Sequence, residues 1–345
     1  MKAIVYTEPG DASVLRLSER PVPEPGPGEV RIRIIVSGVN PTDWKTRSGS
    51  STRGGSVDAT GTVPNQDGAG VVDALGDGVD QFSVGDRVWV TLAGHERPGS
   101  GTAQEYTVVP VERVFPLHDR ASFDLGASVG VPAITAHRAL TVAEGGPDRL
   151  SPGALGGRTV LIAGGAGAVG RAAVQLARWA GATVIATAST DEKAALATAA
   201  GAHHVVLYTQ PDAATRIREL APGGVDIIVE VSAGRNQQLD LAVLRTRGTI
   251  AVYANDGNVP FALDVPANMG LNARYQFVLL YTVGWDRMTA AARDVNAAIA
   301  DGALTASEDT GLPLHRFTLE QTADAHRAVE SGAIGKVLIQ VAPIE

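Results

Sequence analysis

The stretch from Gly156 to Gly181, GGRTVLIAGGAGAVGRAAVQLARWAG, constrains this chain more than any other. A β-type run, TVLIAG, leads through a glycine-rich turn into a pattern where Val174, Leu176, Ala177 and Ala180 recur at helical spacing. Gly181 is a natural stop for that helix. Between strand and helix, Gly165, Gly167 and Gly170 satisfy the spacing GxGxxG. Glycines so placed let backbone approach a pyrophosphate, while the N–H groups and positive dipole end of the helix meet its charge. Gly164, Gly165, Gly167, Ala168, Val169 and Gly170 are therefore the expected cradle. A ligand-free turn would explain the strand and the bend but not this density of glycines.

The rest of the chain extends the same theme. From Val160 onward apolar runs alternate with helical patterns: TVLIAG, TVIATA, HVVLY, VDIIVEV, GTIAVYA and YQFVLLY read as six strands joined by crossovers, a doubly wound parallel sheet. The first 120 or so residues differ. EVRIRIIVSG, AGVVDALG and DRVWVTL are short β-type runs broken by Gly, Pro and Asp, as in a compact and mostly antiparallel domain. Near the end, HRFTLEQTADAHRAVESGAIGKVLIQV reads strand, helix, strand and is expected to pack back onto the first domain. A length of 345 residues allows two cores. The expected division is 1–123 for the first part of the β-rich domain, 124–300 for the dinucleotide domain, and 301–345 for the return segment.

The cofactor expected in the cradle follows from the end of the second strand of the parallel sheet. A carboxylate there takes the ribose hydroxyls of NAD and repels a 2′-phosphate, but here the strand ends in Thr187, Ala188, Ser189 and Thr190. Asp191 and Glu192 read as first-turn helix acids, with Ser189 and Glu192 spaced as a capping box. Lys193 comes next. Lysine is scarce in this chain: Lys2, Lys45, Lys193 and Lys336 stand among 29 basic residues. Where it persists, a compact mobile ammonium does what a planar guanidinium cannot, although a solvated lysine at a helix start is the plain alternative for Lys193. The expected cofactor is NADPH rather than NADH.

Other classes are disfavoured. A net charge of -8 opposes a grip on nucleic acid. No run approaches the roughly 18 apolar residues of a spanning helix, so a soluble, cytoplasmic protein without membrane partner is expected. With no Cys, thiolate chemistry and Cys-ligated zinc are absent. His203 and His204 adjoin just before an apparent strand, where neighbouring side chains point to opposite faces. No metal is expected.

Taken with GVNPTDWKTRSG (38–49), VPNQDGAGVVDALGDGVDQFSVGDRVW (63–89), GVPAITAHRAL (130–140) and GAIGKVLI (332–339), the glycine loop makes the chain resemble the medium-chain dehydrogenase/reductase superfamily. Within it, the chain resembles the zinc-free quinone oxidoreductase, zeta-crystallin-like group. The resemblance implies an α/β fold: a GroES-like β-rich catalytic domain plus a doubly wound Rossmann dinucleotide-binding domain. Zinc alcohol dehydrogenases carry Cys and His where this chain has Asn40 and Gln66. Without a Lewis acid, alcohol oxidation loses its usual support, leaving hydride delivery to an already electrophilic quinone or conjugated enone.

The resemblance also implies roles for single residues. It sets Asn40 beside the nicotinamide with Thr135 near it, and joins Tyr208 to Ser189 and Lys193 around the 2′-phosphate. Tyr253, Asn255 and Phe277 fall where relatives line the nicotinamide cleft, though apolar strand ends also have a packing explanation. Lys45 departs from the zeta-crystallin type, which tends to have Tyr there, and resembles plant enone oxidoreductases, alkenal reductases and fungal trans-acting enoyl reductases. It would hold the nicotinamide ribose or donate to a substrate carbonyl; otherwise it is a surface lysine beside Trp44 and Arg47. Asp43 and Asp67 match family positions too, with a buried structural role at least as apt as a catalytic one.

The implied activity is NADPH-dependent, zinc-independent reduction of a quinone or α,β-unsaturated carbonyl. A pathway-specific enoyl reductase of natural-product metabolism shares this chemistry, and a non-catalytic NADPH-binding protein remains an alternative. Relatives pair through the last strand of the parallel sheet, so a homodimer through YQFVLLY is expected. The loop 95–104 reads as a lid or as a turn.

Overall fold

A computed structural model of the chain describes residues 1–50, 57–58, 61–255 and 259–343. The chain divides into two compact units, Met1–Val131 with Ala306–Glu345, and Pro132–Thr305. The sequence expectation set the divisions at 123/124 and 300/301. The first observed division falls inside one continuous helix, where no change of composition or periodicity marks it.

In the first unit, β1 (Lys2–Val5) pairs with β2 (Arg16–Glu19). Then follow β3 (Glu29–Val39), α1 (Pro41–Arg47), β4 (Asp67–Leu75), β5 (Arg87–Val90), β6 (Tyr106–Pro110) and β7 (Val114–Pro116). Strand β3 shows why this sequence makes sheet: Val30, Ile32 and Ile34 alternate inward while Arg31 and Arg33 stay half-buried. Val30, Ile32 and Ile34 pack with Val72, Val88, Val90 and Val109 into one core cluster. Each such side chain contributes about 1.5–3 kcal/mol relative to exposure. Helix α2 (Phe123–Leu140) contains Pro132 and runs through the division.

The second unit continues with β8 (Thr159–Ile162), α3 (Ala168–Trp179), β9 (Thr183–Ala188), α4 (Asp191–Ala199), β10 (His204–Leu207) and α5 (Ala213–Leu220). After these come β11 (Val225–Glu230), α6 (Ala233–Val243), β12 (Leu244–Val252), α7 (Val265–Leu271), β13 (Arg274–Phe277) and α8 (Trp285–Ala300). The six strands run β10-β9-β8-β11-β12-β13, every pair parallel. This is the doubly wound order expected from the alternating pattern. The stop after α3 is also as read, with Gly181 at φ +83. YQFVLLY is shorter than it reads, because the strand ends at Phe277 and a 3-10 turn takes Leu280–Thr282.

The chain returns to the first unit through β14 (Leu314–Thr318), α9 (Thr322–Glu330) and β15 (Lys336–Gln340). β14 lies parallel to β15, and β15 pairs antiparallel with β3. The main sheet of that unit is ordered β14-β15-β3-β4-β5-β7, with β6 also on β3. Apart from β14–β15 its pairings are antiparallel. No described helix is long and apolar enough to cross a membrane.

Candidate active site

In the second unit the glycine loop lies between β8 and α3, and two of its glycines are there because nothing larger fits. A Cβ on Gly165 would lie 2.7 Å from Ala186 Cβ, and one on Gly170 would fall on the carbonyl oxygen of Gly164. Gly167, the residue before α3, has more room: its nearest neighbour is Gly164 O at 3.4 Å, and it is exposed. Its openness suits a ligand's approach rather than packing. Gly165 N donates to Thr187 O at 3.0 Å and Gly164 N to Thr187 Oγ1 at 3.3 Å, tying the loop to the end of β9. The first-turn N–H groups of α3, on Ala168, Val169 and Gly170, have no carbonyl one turn earlier to meet. A cradle that a Cβ would fill, opening on such donors, fits the pyrophosphate of a dinucleotide.

Ser189 follows β9, Tyr208 follows the adjacent β10, and Lys193 lies in the first turn of α4. Leu207 pairs with Ala188 in the β10–β9 ladder, and Tyr208 N donates to Ala188 O at 3.1 Å. Tyr208 is 47% exposed and Ser189 and Lys193 are half-buried. The capping expectation is corrected by one position. Thr190, not Ser189, caps α4, its Oγ1 accepting from Lys193 N at 3.3 Å. Both residue types cap well; the point at which β9 ends decides which one does, and it leaves the Ser189 hydroxyl out of the cap.

Farther along the sheet, Tyr253 N donates to Glu230 O at 3.0 Å. Asn255 has its amide committed within the chain: Oδ1 accepts from Gly234 N at the start of α6, and Nδ2 donates to Val259 O, both at 2.9 Å. Phe277 is 63% exposed at the end of β13. Glu230 was not singled out in the sequence. It is buried at the end of β11 and accepts from Ser232 N and from Asn236 Nδ2, while burial pushes its carboxyl up. Thr135 is buried on α2 in this same unit.

The first unit holds a buried polar cluster at the start of α1. Asn40 precedes that helix, and its backbone N–H donates to Asp43 Oδ2 at 2.7 Å. Its side chain turns elsewhere: Nδ2 donates to Asp67 Oδ2 at 2.7 Å, and Oδ1 accepts from Lys336 Nζ at 2.9 Å. Asp67 also accepts from Thr91 Oγ1 at 3.0 Å and from Val131 N at 2.9 Å. Gly130 makes that approach possible, since a Cβ there would collide with the Asp67 carboxylate. Asn40, Asp67 and Lys336 are 2%, 0% and 3% exposed. Burial pushes the Asp67 carboxyl up and the Lys336 ammonium down, and the opposite charge of each holds the other back. Burial also lifts Asp43, to about 8, against the bonds from Asn40 N and Gln66 N.

Lys45 is half-buried on α1, its Nζ 5.7 Å from the centroid of the Trp44 ring. The 95–104 loop is tied down rather than loose. Arg113 Nη1 donates to Leu92 O and His95 O at 2.7 Å, and Gln104 Nε2 to Gly99 O and Gly101 O at 2.9 Å. Lys336 was legible only as a scarce lysine in GAIGKVLI, and nothing local signalled its burial.

Asn40 and Gln66 replace the Cys and His zinc ligands by resemblance, and the Asn40 amide is held between Asp67 and Lys336. Among the described residues no three His, Asp or Glu groups converge as a metal site.

Residues 26–119 match the family described as the alcohol dehydrogenase GroES-like domain, and residues 168–295 match zinc-binding dehydrogenase. The chain is 31% identical to the human quinone oxidoreductase over 343 residues, covering 98% of this chain and 97% of that protein. Among solved structures, a mycobacterial protein complexed with NADPH is 31% identical with a TM-score of 0.81, covering 99% of this chain and 100% of that one. An NAD-dependent alcohol dehydrogenase is 27% identical with a TM-score of 0.83 over 99% and 100%, so the fold by itself leaves the choice of nicotinamide cofactor to the strand-end residues. With a GroES-like β-rich unit, a six-stranded Rossmann sheet and this identity along nearly its whole length, the chain belongs to the quinone oxidoreductases of the medium-chain dehydrogenase/reductase superfamily.

Proposed function

We propose that this protein is an NADPH-dependent oxidoreductase that reduces a quinone or an α,β-unsaturated carbonyl without a zinc ion. The observation that carries the reading is that Ser189 and Tyr208 follow the paired strands β9 and β10, with Lys193 in the first turn of α4, beside a glycine cradle and with no acid ending β9. Hydroxyls and an ammonium suit a 2′-phosphate, where a carboxylate would repel it. The similarity to quinone oxidoreductases and to a structure holding NADPH supports the same choice.

The reduced nicotinamide supplies a hydride when bound. The chain's part is to hold and orient. The backbone of Gly165, Gly167, Ala168, Val169 and Gly170 takes the pyrophosphate, and Ser189, Lys193 and Tyr208 take the 2′-phosphate. Asn40, Lys45 and Thr135 serve the reacting end, with the Lys45 ammonium donating to the oxygen on which charge develops. Tyr253, Asn255 and Phe277 line the cofactor at the strand ends of the second unit, with the Asn255 amide held in place by Gly234 N and Val259 O. The protein works in the cytoplasm as a homodimer joined through the free edge of β13.

The test is the initial rate of absorbance loss at 340 nm in EDTA, with NADPH or NADH, against 1,4-benzoquinone, 9,10-phenanthrenequinone and a simple enone. Turnover that prefers NADPH and persists in EDTA is the expected result. Turnover equal with NADH, or abolished by EDTA, overturns the reading. Binding of NADPH without turnover moves the weight to a specialised substrate or to a non-catalytic role.

A further inference from the structure

An asparagine amide has two unlike ends, an oxygen that only accepts and a nitrogen that only donates. At Asn40 each end meets its opposite as a charged group: the Lys336 ammonium at Oδ1 and the Asp67 carboxylate at Nδ2. The reversed amide would turn its N–H groups on the ammonium and its oxygen on the carboxylate. Both partners are themselves held. Asp67 is fixed by Thr91 Oγ1 and Val131 N, and Lys336 Nζ lies 3.4 Å from Val39 O. Gly38 clears the space, since a Cβ there would lie 3.3 Å from Lys336 Nζ and collide with Ala127 O. With charged partners at both ends, these bonds are stronger than neutral ones and keep the amide from turning. One Nδ2 hydrogen and one Oδ1 lone pair remain beyond the bonds to Asp67 and Lys336.

We propose that Lys336 is a positioning residue of the reaction: it fixes which way the Asn40 amide faces, so that the remaining Nδ2 hydrogen is presented to the bound reactants. A lysine suits this place, because a guanidinium fork has five N–H donors to satisfy, whereas among the described residues Lys336 Nζ bonds to Asn40 Oδ1 and Val39 O. The inference rests on the proposed reading in one respect, that Asn40 serves the reacting end.

The experiment is a double-mutant cycle on the full chain with NADPH and 1,4-benzoquinone, measuring kcat, KM for NADPH and thermal midpoint for Asn40→Ala, Lys336→Met and the pair. Residues that act through one another do not add. Asn40→Ala and Lys336→Met should each lower kcat about tenfold with KM for NADPH little changed, and the double variant should fall no further than Asn40→Ala. A lysine that only supports the fold would lower kcat by the same factor in both backgrounds, and that result overturns the proposal, as does unchanged kcat in Lys336→Met beside a slow Asn40→Ala. Unchanged kcat in Asn40→Ala instead sinks the assignment of Asn40 to the reaction, a separate failure.

If Lys336→Met does not fold, a measurement that leaves Lys336 intact decides the matter. The chain has four lysines, so protein labelled with 13C at lysine Cε gives four assignable signals, with Lys2→Arg, Lys45→Arg and Lys193→Arg used for assignment. The Lys336 signal should move both when Asn40 becomes Ala and when NADPH and an unreactive quinone analogue bind the unsubstituted protein. A Lys336 signal indifferent to either change overturns the proposal.

Discussion

Tyr208 donates its backbone N–H to the carbonyl oxygen of Ala188 at 3.1 Å, and this bond carries the β9–β10 ladder one step past the last paired residues. It sets the backbone of Tyr208 beside the strand end that bears Ser189. Selectivity for a 2′-phosphate should therefore depend on this strand end as a unit. Lys193→Ala should raise KM for NADPH about 10- to 100-fold, the range expected on losing a charge-assisted hydrogen bond, and leave KM for NADH within about twofold. Ser189→Asp should go further and reverse the preference. Steady-state kinetics with both cofactors checks this; equal losses with both would show that the residues support the strand rather than the phosphate.

The glycines of the loop should separate by what they do. Gly165→Ala and Gly170→Ala introduce a Cβ against Ala186 Cβ and Gly164 O. Both variants should lose thermal stability as well as cofactor binding, as overpacking costs about 1–3 kcal/mol. Gly167→Ala has room for its methyl group and an ordinary helix-entry backbone at φ -74. Its melting temperature should be preserved while NADPH binding weakens. Calorimetric melting with and without NADPH distinguishes the two outcomes.

His326 is buried in the first unit with Nε2 2.9 Å from Asn65 Oδ1, and burial together with the nearby Arg47 guanidinium lowers its pKa from 6.5 to about 3. The folded chain keeps this imidazole neutral where the unfolded chain binds a proton. Stability is then full above about pH 6.5 and is lost as pH falls toward 3. His326→Gln, which keeps an N–H donor, should flatten the denaturation midpoint between pH 7 and 4. A slope unchanged by the substitution would place the acid sensitivity elsewhere.

Phe277 offers an exposed ring at the end of β13, the outer strand of the parallel sheet. β13 is an outer strand, and the backbone groups along such an edge are open to pairing with another chain. Sedimentation should find a dimer at micromolar concentration, and Phe277→Lys should shift it to monomer with the fold intact. A monomeric parent protein would refute pairing through this edge.

The second unit was the more legible part because its signals are local. Glycine spacing, the alternation of apolar runs and helical patterns, and the stop at Gly181 each concern residues close in sequence, and the periodicities of helix and strand turn that order directly into a parallel sheet. The absence of an acid at the end of β9 was equally readable. The choice of Thr190 over Ser189 as cap was not, because both residues can cap and the strand's end point is set by its partner strands.

In the first unit only the tertiary structure could decide the polar cluster. Asn40 finds Asp67 27 positions away and Lys336 296 positions away, and no pattern in the sequence marks three polar residues as neighbours across such separations. Residue types settled what each group can donate or accept. The antiparallel pairing of β15 with β3, which carries Lys336 back to the end of β3 beside Asn40, settled which groups meet, and burial then made their charges matter, since outside water a charge must find its partner within the fold.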